Sequence, residues 1–190
     1  PRLPCDGGER LGLEVYDEDI ADLAARRSGI RKDYFEKVDE KPTDSFLYML
    51  AMNTFTMNTS MNPFENTLSS DKLFNKQAEV IQEIADKDDC IIVGRCAGYI
   101  LRDEPKCVRI YISADKDFRT KRIMASDHLD EKEAQKKIHS MDKKRDSYFG
   151  YYAGQDWKAC HTYDLSISTS SLGIDKAVDL ICQYIDIKFK

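Results

Sequence analysis

Apolar residues along this chain change period several times, and each change marks an element. LEVYD (Leu13–Asp17) reads as a short strand ending in an acid. CIIVG (Cys90–Gly94), CVRIYIS (Cys107–Ser113) and YDLSIST (Tyr163–Thr169) are further strands, rich in Ile and Val as buried parallel strands are. Between them the pattern shifts to helical spacing. EDIADLAARRSG places Ile20, Leu23 and Ala24 on one face, with Gly29 as a stop. RKDYFEKVDE predicts a short helix ended by Pro42, and DSFLYMLAMNTFTMN another helix. TSMNPFENTLSS is polar, with Asn and Pro as breakers, and predicts a loop. A longer helix, KLFNKQAEVIQEIADK, follows with Ser70 or Asp71 as its cap and an apolar stripe through Leu73, Val80, Ile81 and Ile84. A short helix runs through Leu101 after the CIIVG strand. DKDFRTKRIMAS and DEKEAQKKIHSMDKKRDSYFGYY predict two helices joined near Asp127 to Asp130, and GIDKAVDLICQYI predicts a closing amphipathic helix.

Strands alternate with helices through the second half, which implies an α/β fold with parallel strands and crossover helices. At 190 residues the chain suits one domain with a sizeable core. The hydrophobic fraction of 42% and charged fraction of 33% describe a soluble globular protein. A net charge of -5 argues against broad nucleic-acid binding. No apolar run is long enough to span a bilayer, and the first ten residues do not read as a secretory signal. The six cysteines lack a CxxC pair and read as reduced thiols of a cytoplasmic protein. The histidines His128, His139 and His161 show no metal-ligand spacing, so no resident metal site is expected.

Arg95 is the first candidate for chemistry. It follows Gly94 at the end of an apolar strand, and ligands of open α/β sheets bind beyond the carboxyl ends of strands. An arginine there offers a fork to a phosphate or carboxylate, or pins the turn with a salt bridge. A second group lies between Arg119 and Arg145. Arg119 and Arg122 share a helix face, and Lys143, Lys144 and Arg145 stand beside Asp142. Each lysine alone reads as solvated surface. Arg95, Arg122 and Arg145 together read as a polyphosphate site.

The ordered set VGRCAGYIL, VRIYISADKDFRTKRI, DEKEAQKKIHSMDKKRDSYF and YDLSISTSSLGIDKAVDLI resembles the cytidylate kinase-like family, from about Leu11 to Ile185. The resemblance implies a three-layer α/β/α P-loop kinase fold: a parallel sheet with a helical lid and a monophosphate-binding insertion. It implies one domain over 1–190, with core segments 1–29, 70–115 and 160–190, an insertion over about 30–69 and a lid over about 116–152. By the same resemblance Arg122 and Arg145 act catalytically, Arg95 and Asp17 bind substrate, and Arg119 and Asp142 bind the nucleotide cofactor. ATP and Mg²⁺ are the implied cofactors and a nucleoside monophosphate, CMP or dCMP, the acceptor. By the resemblance Tyr148, Tyr151 and Tyr152 either pack the lid or lie near the base, with core packing the stronger reading. Val93 and Cys96 flank the Gly-Arg where cytidylate kinases carry acids that help read cytosine, which leaves the acceptor base open.

The front of the chain departs from the family. CDGGER is the segment nearest to a glycine-rich phosphate loop, with Gly7 and Gly8 as cradle and Arg10 as the cation in place of a lysine. GxxxxGK[ST] is absent, and no apolar strand precedes the glycines. In this fold the first strand is central, and without it the neighbouring strand edges are left unpaired. The expectation is that strand, loop and first helix belong to sequence outside these 190 residues. The competing readings are a nucleotide- or anion-binding relative without turnover, and a kinase of another small molecule. The Met-rich segment Phe46 to Met61 is a candidate homodimer surface.

Overall fold

The computed structural model describes residues 3–17, 20, 23–24 and 63–189, with residues 63–70 described by their backbone alone. Helix α1 (Leu3–Leu11) leads through Gly12 into strand β1 (Glu14–Tyr16). Helix α2 (Pro63–Lys87) precedes β2 (Cys90–Ile92) and the short α3 (Ala97–Ile100). Strand β3 (Ile110–Ser113) feeds the hairpin of α4 (Lys116–Asp127) and α5 (Glu131–Ala153). A 3₁₀ turn (Cys160–Thr162), β4 (Leu165–Ser168), the short α6 (Thr169–Leu172) and α7 (Ile174–Phe189) complete the order.

The α/β alternation is as expected, and all pairing among the described residues is parallel. The four described strands form two pairs, β1 with β2 and β3 with β4. Tyr16 stands opposite Ile92, and Val93 N–H extends the ladder to the Tyr16 carbonyl at 2.8 Å. Ser113 stands opposite Ser168. Among the described residues, β2 and β3 each have a strand neighbour on one side only. Helix α1 packs against β1, β2 and α7, and so reaches the first pair and the helix that covers the second.

Two apolar cores follow this division. Ile20, Ala24, Leu73, Val80, Ile81 and Ala97 form one, and Ile20, Ala24 and Ile81 have no exposed surface. Leu3, Ile167, Ala177, Val178 and Ile181 form the other, between α1, β4 and α7. Both sets contain the residues that helical or strand spacing marks as inward-facing, as burial of an amphipathic face requires. Arg109 anchors the second pair at its base: its backbone N–H and side chain donate to the Asp164 carboxylate, at 2.7 Å from the amide.

Several boundaries differ from the sequence pattern. Pro63–Ser70 is helical, not a loop, so Ser70 and Asp71 are interior rather than caps. Proline is well suited to a first helical turn, where its missing N–H would have no intrahelical acceptor in any case. The segment Cys107 to Arg109 is not strand, because Arg109 turns to engage Asp164 and β3 starts at Ile110. Helix α5 opens on a reciprocal cap: the Asp130 carboxylate accepts from Glu133 N–H at 2.8 Å, and Glu133 accepts from Asp130 N–H at 3.2 Å. Gly29, the helix expected up to Pro42, and Phe46 to Met61 lie outside the described residues.

Candidate active site

Three consecutive residues after β2 adopt left-handed backbone: Gly94 at φ 75°, Arg95 at φ 53° and Cys96 at φ 56°. Glycine takes this conformation freely, but Arg and Cys pay roughly 1–2 kcal/mol each. The turn closes through Ala97 N–H to the Gly94 carbonyl at 3.0 Å and starts α3. Cys96 is buried under it, and burial pushes its thiol up to about 12, so it is a packing group rather than a nucleophile. Arg95 is half-buried. Strain of this kind concentrates where a side chain must be aimed. The parallel register puts Asp17, directly after β1, at the same sheet end as Arg95.

The second half of the site is the α4–α5 hairpin. Asp142 on α5 accepts both ends of the Arg119 guanidinium, at 2.7 and 2.6 Å, and accepts Arg145 at 3.4 Å. Burial alone would push the Asp142 carboxyl up. The hydrogen bonds and charge of Arg119, with the charge of Arg145, outweigh burial and hold it below its ordinary value. The same hydrogen bonds raise Arg119. Arg122, one turn along α4 from Arg119, is exposed, as are Lys143, Lys144 and Arg145.

Two aromatic groups pack near the hairpin's return, one on β3 and one between α5 and α2. Tyr111 on β3 lies against Tyr163 with ring centroids 5.0 Å apart and meets Trp157 edge-to-face at 5.6 Å. Burial raises the Tyr111 phenol, Asp142 adds to the rise, and Arg119 opposes it. Burial likewise raises the phenols of Tyr163 and Tyr152. Tyr152 stacks on Phe74 of α2 at 3.9 Å, and the Tyr148 hydroxyl donates to the buried Gln77 at 3.1 Å. Tyr148 and Tyr152 thus dock α5 onto α2. Tyr151 meets Tyr152 edge-to-face and donates to Asp71 at 3.4 Å.

Of the residues singled out in the sequence, the structure brings Arg119, Asp142 and Arg145 into direct contact. Arg95 and Asp17 share one sheet end, and Arg122 lies on the hairpin surface. The loop reading of Gly7 and Gly8 is corrected: both are buried within α1. A Cβ at Gly8 would overlap Val15 Cγ2 and stand 2.9 Å from the Leu13 carbonyl, so the glycine serves close packing of helix on strand. Arg10 is paired with Asp179 of α7 rather than turned toward a phosphate. The sequence reading missed Tyr111, Trp157 and Tyr163. The one signal for Trp157 is that it is the chain's sole tryptophan. Among the described residues no cluster of three or more His, Cys, Asp or Glu has metal-holding geometry, and no helix is long and apolar enough to cross a membrane.

Comparison with known proteins gives this geometry a family. A cytidylate kinase from Sulfolobus acidocaldarius is 31% identical over 110 residues, 58% of this chain and 60% of that protein. A cytidylate kinase from Methanoculleus marisnigri is 27% identical over 111 residues, 58% of this chain and 59% of that protein. The chain therefore spans about 60% of the length of these curated relatives. The crystal structure of an uncharacterized protein from Eubacterium ventriosum superposes with a TM-score of 0.69 at 30% identity, over 97% of this chain and 89% of that one. The family profile matches residues 8–171. With most of its length inside that match, the chain belongs to the cytidylate kinase-like family.

Proposed function

We propose that the protein transfers a phosphoryl group from ATP to a nucleoside monophosphate, with CMP and dCMP as the first acceptors to test. The observation that carries this reading is the guanidinium cluster on the α4–α5 hairpin, with Arg119 and Arg145 gathered on one carboxylate. Phosphoryl transfer asks a protein mainly for alignment, charge neutralisation and exclusion of water. Guanidinium groups on a hairpin supply charge and closure together.

The donor set suits a nucleotide. Arg95, Arg119, Arg122 and Arg145 offer planar forks matched to phosphate oxygens. In this reading Arg122 and Arg145 neutralise the moving phosphoryl group, Arg95 and Asp17 orient the monophosphate, and Arg119 with Asp142 sets the hairpin against the ATP phosphates. Mg²⁺, carried by ATP oxygens and water with few protein carboxylates, would supply further charge neutralisation when bound. The fold in this reading is a P-loop kinase in one domain, with the core, insertion and lid divided near residues 30–69 and 116–152.

The test is a turnover assay of the full-length protein with ATP, Mg²⁺ and a panel of monophosphates. Activity on CMP or dCMP above the other acceptors supports the reading, and no turnover on any monophosphate sinks it. The second reading, a nucleotide binder without turnover, draws on the helical state of Gly7 and Gly8, which form no phosphate-cradling loop. Nucleotide binding by calorimetry with no turnover would favour it. Turnover confined to a small molecule other than a nucleotide would favour the third.

A further inference from the structure

Gln77 breaks the apolar stripe of α2. It stands between Leu73 and Val80 at helical spacing, and all three are buried. A leucine would fill the same space with no polar group to satisfy, so packing alone does not account for an amide here. The Gln77 side-chain oxygen accepts from the Tyr148 hydroxyl of α5 at 3.1 Å. The seam around this bond is aromatic. Phe74 stacks on Tyr152 at 3.9 Å with the rings 4° from parallel, and Tyr148 meets Tyr152 edge-to-face at 4.9 Å. Stacked rings and aliphatic contacts tolerate a slide of one helix along the other, whereas a buried hydrogen bond is met in one register only.

Helix α2 also packs on the other half of the site. Leu73, Val80 and Ile81 share a core with Ala97, which opens α3 two residues after Arg95. On α5, Arg145, Tyr148 and Tyr152 follow one another at spacings of three and four, so they share a helix face. One helix therefore touches both halves. Its core residues meet the turn that carries Arg95, and Gln77 meets the helix that carries Arg145.

We propose that Gln77 and Tyr148 are positioning residues: their buried hydrogen bond fixes the register of α5 on α2, and with it the separation of Arg145 from Arg95. This rests on the nucleotide reading above and deepens it, because a fixed separation matters to a ligand that spans both guanidinium groups.

The test is the double variant Gln77→Leu/Tyr148→Phe of the full-length protein. It removes acceptor and donor together and leaves the seam apolar. Replacing both members of a buried polar pair is close to neutral for stability, so the Tm should stay near wild type. Binding is followed by calorimetry with three probes: CMP, tripolyphosphate, and a pentaphosphate that joins adenosine to cytidine and so must reach both halves at once. The joined probe should bind the double variant about tenfold more weakly than wild type, as expected when two sites shift relative to each other. CMP and tripolyphosphate should each stay within about twofold of wild type, since each half is intact.

Equal affinity of the joined probe for wild type and variant overturns the proposal and leaves the nucleotide reading standing. Equal weakening of all three probes also overturns it, because the pair would then serve the fold rather than the spacing. A wild-type protein that binds none of the three sinks the nucleotide reading and the proposal with it. If the double variant fails to fold, Tyr148→Phe goes through the same comparison, since it keeps the ring and loses only the hydroxyl.

Discussion

Asp142 holds Arg119 through two hydrogen bonds of 2.7 and 2.6 Å but Arg145 through one of 3.4 Å. The distances separate the roles of two cations that look alike in sequence. Arg119 clamps α4 to α5. Arg145 rests beside the same carboxylate with its side chain 47% exposed, so a stronger anion can draw it away.

Asp142→Asn should therefore loosen the hairpin. With Asp142 18% and Arg119 32% exposed, solvent screens part of the attraction. The expected loss is about 1 kcal/mol, or roughly 2–4 °C in Tm for a chain of this size. A thermal melt beside wild type checks it, and an unchanged Tm would mean the clamp carries no net stability.

Acid should reveal the same contact. Asp142 and Asp164 are both held below the ordinary 3.8 by their arginine partners, despite the upward push of burial. A depressed carboxyl contributes stability above its unfolded value, and that contribution is lost as pH falls through the folded one. Helicity followed from pH 7 downward should therefore hold until about pH 4 and then fall, more steeply in wild type than in Asp164→Asn. Parallel curves would remove the ion pairs as the cause of acid sensitivity.

Arg145→Ala and Arg122→Ala separate catalysis from folding. Both side chains lie on the exposed surface of the hairpin, so stability should stay within about 0.5 kcal/mol of wild type. If they neutralise a moving phosphoryl group, turnover should fall about a hundredfold or more in each. Wild-type rates in both variants would end the assignment of these residues to the reaction.

The paired glycines of α1 should respond in opposite directions. A Cβ on Gly7 meets only Ile91 Cδ1 at 3.8 Å, an ordinary contact. Gly7→Ala should stabilise by about 0.5–1 kcal/mol through helix propensity. Gly8→Ala must displace Val15 or the Leu13 carbonyl and should cost about 1–3 kcal/mol. Denaturant melts of the two variants give the signs directly, and equal effects would contradict the packing of α1 on β1.

That contrast also shows where sequence legibility stops. The strands at Val15, Ile91, Ile112 and Ile167, and the helices α4, α5 and α7, follow from apolar period and Ile/Val content, because local geometry dictates both. Gly7 and Gly8 read as a loop because adjacent glycines carry the same local signal in a turn and in a tightly packed helix. Only the approach of Val15, seven residues from Gly8, distinguishes them. Pro63 misled in the same way, as a breaker that is also a good first helical residue. The Arg119–Asp142 pairing joins residues 23 apart in sequence and depends on the pitch of two helices. Trp157 lies in a stretch with no period at all, so its unmet N–H is invisible until Tyr111 and Tyr163 are placed around it.

The left-handed run at Gly94, Arg95 and Cys96 bears on how this sequence would evolve under two different filters. A library sorted for heat tolerance should drift at position 95 toward glycine or asparagine, which sit in that backbone at little cost. If Arg95 orients the monophosphate, a library sorted for turnover should keep arginine there and accept the lower melting point. The gap between the two consensus sequences at this single position would measure how much foldability the protein surrenders to aim one guanidinium.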